Sequence, residues 1–266
     1  MTDWAAFAGI AAAVLGLLLV LAHLSARGID GPQLFPGDVR WLDALESDAD
    51  HLDVGEAPRP ATPAAPTEGY STVLLVVNVA LSQGVLGFIL LGGAFFTQVP
   101  ASALGISGAT AGLSMLGVGV VAGVALAGAN TAAGLLASWA GHDPSADLRE
   151  MLTPETRRGW VLLLGVALPI VAGFEELLFR GVLVGVFAAA PFGLSPWLLA
   201  VLSSVAFALG HGAQGPVGIA VTGTLGFLLA ALFVVTGSLL AVVVAHYLVN
   251  ALEFVGHELG LNPLAK

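Results

Sequence analysis

The sequence contains no cysteine, which excludes disulfides and cysteine-ligated zinc. Lysine is nearly absent too, Lys266 being the only one. Charged residues of all kinds make up 10% of the 266 positions, against about 25% in an ordinary soluble domain. So little charge cannot cover a soluble enzyme of this size, nor hold a chain disordered. With 8 Lys and Arg and a net charge of -10, no nucleic acid partner is expected. What the chain has instead is apolar mass. Hydrophobic residues make up 57%, there are 35 glycines, and the mean hydropathy is +0.94. These values predict an all-α, polytopic transmembrane bundle whose first partner is membrane lipid. A pI near 4.8 with acidic, lysine-poor loops suits a high-salt cytoplasm, and hints at the plasma membrane of a halophilic prokaryote.

Apolar runs fall at Trp4–Leu24, Thr72–Phe96, Ala111–Trp139, Trp160–Ala190, Leu194–Leu209, Val217–Val235 and Leu239–Phe254. The first has Asp3 before it in place of a basic region, so it reads as a retained span rather than a cleaved signal. The run at 194–209 is short for a span. The run at 160–190 is long, and reads either as one tilted helix or as a span with a second helix turning back after Arg180. Seven or eight spans are therefore expected. Residues 1–71 divide off as an N-terminal helix plus an acidic, Pro-rich loop, and residues 72–266 as the membrane-embedded core. Within that loop, Pro58–Pro66 reads as an extended hydrated linker. The loops at 27–70 and 141–158 hold Arg27, Arg40, Arg59, Arg149, Arg157 and Arg158, while residues 97–110 hold no Lys or Arg. The positive-inside rule then puts both large loops in the cytoplasm and the N-terminus outside. Gly119 and Gly123, and Gly181 and Gly185, have the spacing that lets helices approach closely in lipid.

Polar groups inside the apolar runs are costly and so are functional candidates. Glu175, Glu176 and Arg180 stand in GFEELLFRG. Glu176 and Arg180 are four apart, share a helix face and are expected to pair, leaving Glu175 to point into a cavity. Both glutamates can be read as neutralising Arg180, but one arginine needs one carboxylate, so Glu175 is the sharper candidate. His211 follows Phe207 by four residues and closes the short run, where a broken helix is tolerated if it lines a wet or protein-walled cavity. A satisfied structural histidine is the alternative. His246 and Asn250 share one face of the last run. Glu253 and His257 continue that stripe and read as a solvated helix end. His23, His142 and Asn130 read as end-of-span or loop residues, the last able to bond between helices.

A glutamate pair, two histidines and an asparagine on three runs form the inventory of a hydrolase. A carboxylate can take a proton from water, and a histidine can orient that water. Imidazole and amide N–H groups can stabilise an oxyanion. Glu175, His211 and His246 could equally hold one zinc ion, although no HExxH spacing selects a metal.

The ordered motifs Glu175-Glu176-xxx-Arg180, Phe207-xxx-His211 and His246-xxx-Asn250, with Gly237-Ser238 entering the last, resemble the CPBP family of CAAX-prenyl-endopeptidase-like and bacteriocin-processing (Abi) intramembrane proteases. The resemblance covers about residues 160–254. It implies an endopeptidase acting on a membrane-associated peptide or protein, with its site in an intramembrane cavity. It implies Glu175 as catalytic glutamate, His211 as its partner, His246 and Asn250 as the oxyanion pair, and Glu176, Arg180 and Phe207 in support. The family's naming implies a metalloprotease, while a metal-free glutamate mechanism is also argued for its CAAX members. Two other classes draw on the same residues. One is a catalytically idle scaffold or immunity-type protein, which the intact motif set disfavours. The other is a proton-coupled transporter, which the lack of a duplicated half disfavours.

Overall fold

The computed structural model describes residues 1–26, 72–139 and 153–259. The Pro58–Pro66 linker, His142 and most of both large loops lie outside the described residues. The rest is helical, with no strand among the described residues. Seven main helices follow one another: α1 Trp4–Ala26, α2 Thr72–Phe96, α3 Leu113–Trp139, α4 Arg157–Ala189, α5 Pro196–Gly210, α6 Gly215–Thr236 and α7 Leu239–Glu258. All except α5 are long and apolar enough to cross a membrane. In lipid every backbone group must be satisfied within the segment, and long helices do this. Phe88, Phe95, Phe96, Leu113 and Val121 stay exposed on the outer faces, as expected of a lipid-facing surface. The chain is an integral membrane protein.

The long run at 160–190 does not turn back after Arg180. It forms one helix, α4, which rules out the eighth span. Two stretches of α4 are wound more widely, at Leu163–Ala167 and Leu177–Val186, and the Phe187 N–H there bonds to the Val182 carbonyl five residues back. Such widened turns often mark functional sites.

Glycines set the helix packing at a few points. A Cβ on Gly119 would lie 2.7 Å from the Ala241 carbonyl oxygen, and one on Gly123 would lie 2.9 Å from Ala245 Cα. Contacts that advance from 119 against 241 to 123 against 245 mean that α3 and α7 run parallel. Two parallel helices with three others between them require α5 to reverse the chain direction. The short helix therefore counts as a pass, and there are seven among the described residues. Gly185 seats the Ala103 carbonyl and the Phe233 ring, and Gly181 lies against the Leu104 carbonyl. The short turn of helix at Ala101–Leu104 thus packs on the widened part of α4. Phe7, Ala11 and Val14 of α1 join a buried cluster with Leu90, Leu104, Phe174, Leu178, Phe207 and Phe233.

Candidate active site

Each candidate side chain is placed by a local device. Gly237 takes the left-handed conformation (φ 63°) and ends α6. Ser238 then caps α7, its hydroxyl accepting from the Ala241 N–H at 3.1 Å and donating to the Thr110 carbonyl at 2.5 Å. The Leu239 N–H donates to the Gly105 carbonyl at 3.1 Å. These bonds pin the start of α7 and set the height of His246, two turns in. Glu175 and Glu176 close the regular part of α4, and Arg180 sits in the widened part. His211 ends α5, where the chain leaves helical geometry (φ -103°, ψ 22°).

The centre of the site is Glu176. It is fully buried, as is Arg180. Its Oε1 accepts from Arg180 Nη1 at 2.8 Å and from His246 Nδ1 at 2.7 Å. Arg180 Nη2 donates to the Gly226 carbonyl at 2.8 Å, and the guanidinium lies 4.7 Å from the centre of the Phe207 ring. Charge-assisted bonds of this kind compensate part of the cost of burying the ions. A Cβ at Gly226 would meet Phe207 at 2.9 Å and Arg180 Nη2 at 3.4 Å, so glycine is what lets the arginine reach that carbonyl.

Glu175 occupies a different place. It is 8% exposed, and its Oε2 stands 3.7 Å from His246 Nε2. That is too long for a direct hydrogen bond. One water placed off the line between the two atoms can bond both. A carboxylate accepts, so the short contact to Glu176 puts a proton on His246 Nδ1. In neutral His246 the Nε2 lone pair therefore faces Glu175. Only the imidazolium donates from both nitrogens.

His211 is half-buried. Its Nδ1 lies 2.8 Å from the Phe207 carbonyl, which can only accept, so Nδ1 carries the proton and Nε2 is left with a lone pair. The Phe207 ring packs against His211 at 4.5 Å and against His246 at 5.9 Å. His211 forms no hydrogen bond or ion pair with Glu175, Glu176 or His246. Asn250, one turn beyond His246, is half-buried, and its side chain bonds to no described residue.

The expected Glu176–Arg180 contact is present, but Glu176 does not stay clear of the histidines. It holds one nitrogen of the imidazole whose other nitrogen faces Glu175. No spacing in the sequence signals that contact, because it joins two helices 70 residues apart. The Gly226 carbonyl as partner of Arg180 is equally silent. Zinc does not fit the set Glu175, His211 and His246 in this arrangement. A zinc ion needs its nitrogen and oxygen ligands at about 2.0–2.2 Å. Both histidines keep a free Nε2 with Nδ1 bonded, as zinc ligands usually do, but the three side chains do not gather round one point. No three His, Asp or Glu side chains among the described residues are grouped to hold a metal ion.

Residues 157–252 match the family described as Type II CAAX prenyl endopeptidase Rce1-like. The segment is similar to that family, over about a third of the chain. It takes in Glu175, Glu176, Arg180, Phe207, His211, His246 and Asn250, and so the whole buried cluster. The match agrees with the CPBP resemblance carried by the motifs. No curated protein and no solved structure matches the chain.

Proposed function

We propose that the Rce1-like segment is an intramembrane endopeptidase that hydrolyses a peptide bond of a membrane-associated substrate with water activated by Glu175. The observation that carries this is the pairing of two carboxylates on one imidazole. Glu176 is committed twice at a single oxygen and is out of contact with solvent. Glu175 is less engaged, slightly exposed, and separated from His246 Nε2 by a gap that one water can bridge.

Glu175 takes the proton from that water as it attacks the substrate carbonyl. It gives the proton to the amide nitrogen when the tetrahedral centre collapses, so that the C–N bond breaks, the amine leaves and the carboxyl product remains. His246, held by Glu176, faces the developing tetrahedral centre through Nε2. Once that nitrogen carries a proton, it donates to the oxyanion. The Asn250 amide, one turn further along the same face, is the second donor. His211, packed on the Phe207 ring, presents an unshared Nε2 lone pair that can accept a proton from the substrate or from water. Glu176, Arg180 and the Gly226 carbonyl keep the charges in place and react with nothing. No metal enters this scheme.

Cleavage of a membrane-anchored peptide by the purified protein tests it. Glu175→Gln keeps the shape and removes the proton acceptor. Its rate should fall at least about a hundredfold, the usual worth of general-base catalysis. A variant that cleaves at the parent rate overturns the assignment. A chelator should leave the parent rate unchanged, and a loss reversed by zinc overturns the metal-free scheme.

A further inference from the structure

Besides the Glu176–His246 contact, a second bond joins α4 to α7, and it begins with a carbonyl that α4 cannot satisfy. At the first widened stretch the Leu168 N–H bonds to the Leu163 carbonyl, five residues back. In a regular α-helix it would have gone to Leu164. In the wider turn the partner of Leu164 would be residue 169, and that residue is Pro169, which has no N–H. The wide turn and the proline together leave the Leu164 carbonyl open inside a membrane span, where an unsatisfied backbone group is costly. Tyr247 of α7 fills the gap. Its hydroxyl donates to the Leu164 carbonyl at 3.2 Å. Its half-buried ring packs against the buried cluster that contains Leu163, Ala167 and Ala251.

Tyr247 follows His246 directly, and the two side chains leave α7 about 100° apart. They grip α4 at Leu164 and Glu176, about 18 Å apart along that helix. Two grips so far apart, made by adjacent residues, fix how far α7 slides along α4 and how far it turns about its own axis. His246 Nε2 stands 3.7 Å from Glu175 Oε2, and that gap follows from where α7 sits. A misplacement of about 1 Å at a reacting centre can cost on the order of a hundredfold in rate. We propose that Tyr247 is a positioning residue: by bonding to the carbonyl that the wide turn and Pro169 leave open, it holds the His246 imidazole in line with Glu175. Its effect on rate rests on the proposed hydrolysis, but the latch itself does not.

Removing only the hydroxyl, in Tyr247→Phe, tests this in the full-length protein. The kcat for a membrane-anchored peptide should fall at least about tenfold while KM stays within about twofold of the parent value. Leaving a carbonyl open should also lower stability, so a second substitution separates the two effects. Pro169→Ala gives α4 the missing N–H. Whether the turn then stays wide or tightens, the Leu164 carbonyl gains a partner within its own helix. In that background Tyr247→Phe should no longer lower the thermal midpoint in detergent, yet should still lower kcat by the same factor. If the rate loss disappears together with the stability loss, Tyr247 only satisfies the carbonyl and the positioning role is overturned. A Tyr247→Phe protein with the parent kcat overturns it as well. The ring-nitrogen resonances of His246, in protein labelled at its histidines and identified by their loss in His246→Gln, give a readout independent of cleavage. They should shift in Tyr247→Phe and stay shifted in the double variant, and unchanged resonances overturn the latch. If the parent protein cleaves no peptide, the protease reading fails, while the melting curves and the His246 resonances still decide the latch.

Discussion

Glu176 and Glu175 are neighbours in sequence, yet removing the charge from each should have different consequences. Glu176 Oε1 is the only carboxylate oxygen bonded to the fully buried Arg180 among the described residues. Glu176→Gln would leave that guanidinium poorly compensated, and breaking a buried pair typically costs about 3–5 kcal/mol. It would also release His246 from its orienting bond. Glu176→Gln should therefore lower the thermal midpoint in detergent and activity together, whereas Glu175→Gln should lower activity alone. The check is a melting curve and a cleavage rate on the same two samples. A Glu176→Gln protein as stable as the parent would show that Arg180 finds another partner. Asn250→Ala removes a half-buried donor with no bond to a described residue to lose, so it should fold as the parent does. Its rate should fall by about the 2.7–4 kcal/mol that one oxyanion donor is worth.

At the scale of the element, two contacts decide whether the site assembles: the pinned start of α7, and the close approach of α4 to the 101–104 turn. Gly185 has no room for a side chain, since a Cβ there would run into the Ala103 carbonyl and lie 3.1 Å from the Phe233 ring. Gly185→Val should destabilise the fold by about 1–3 kcal/mol through overpacking. Gly173→Ala, where no atom lies within 4 Å of an added Cβ, should be nearly neutral. Melting curves of the two variants check the contrast, and comparable losses would mean that α4 rather than its neighbours sets the cost. The widened turn over Leu177–Val186 is also a property of the element. Arg180 lies inside it, on a turn broader than an α-helical one, and still reaches Glu176.

At the scale of the whole molecule, parallel pairing of α3 with α7 makes α5 a pass, the seventh among the described residues, and puts the ends of both helices on one face. The short α5 is counted as a pass only on that ground. Single cysteines at Ser138 and at Leu259 should therefore be labelled by an impermeant reagent from the same side of a sealed vesicle, and one at Gln98 from the other. Labelling of the first two from opposite sides would remove one pass and with it the parallel pairing. Deleting residues 58–66 from the acidic loop should leave peptide cleavage intact, as expected of a hydrated linker. Loss of cleavage in a folded deletion variant would give that loop a part in the reaction.

Composition by itself determined the membrane environment, because a chain with 10% charged residues has too little polar surface for water. Helical periodicity determined which polar groups share a helix: Glu176 with Arg180, Phe207 with His211, and His246 with Asn250. All are one turn apart, and local geometry places them. The order of those motifs was enough to show the family resemblance. The tertiary structure alone decided what joins the helices. That Glu176 holds His246, that Arg180 ends on the Gly226 carbonyl, and that Asn130 meets Glu253 depends on how helices far apart in sequence are packed. The long run at 160–190 was ambiguous for the same reason. A helix that turns back and one that continues have the same hydropathy, and only packing of Gly181 and Gly185 against the 101–104 turn selects the continuous one. Glu253 and His257 looked like a wet helix end because their own helix ends soon after them. Glu253 also meets Asn130 of the neighbouring α3, and no pattern within α7 records that contact.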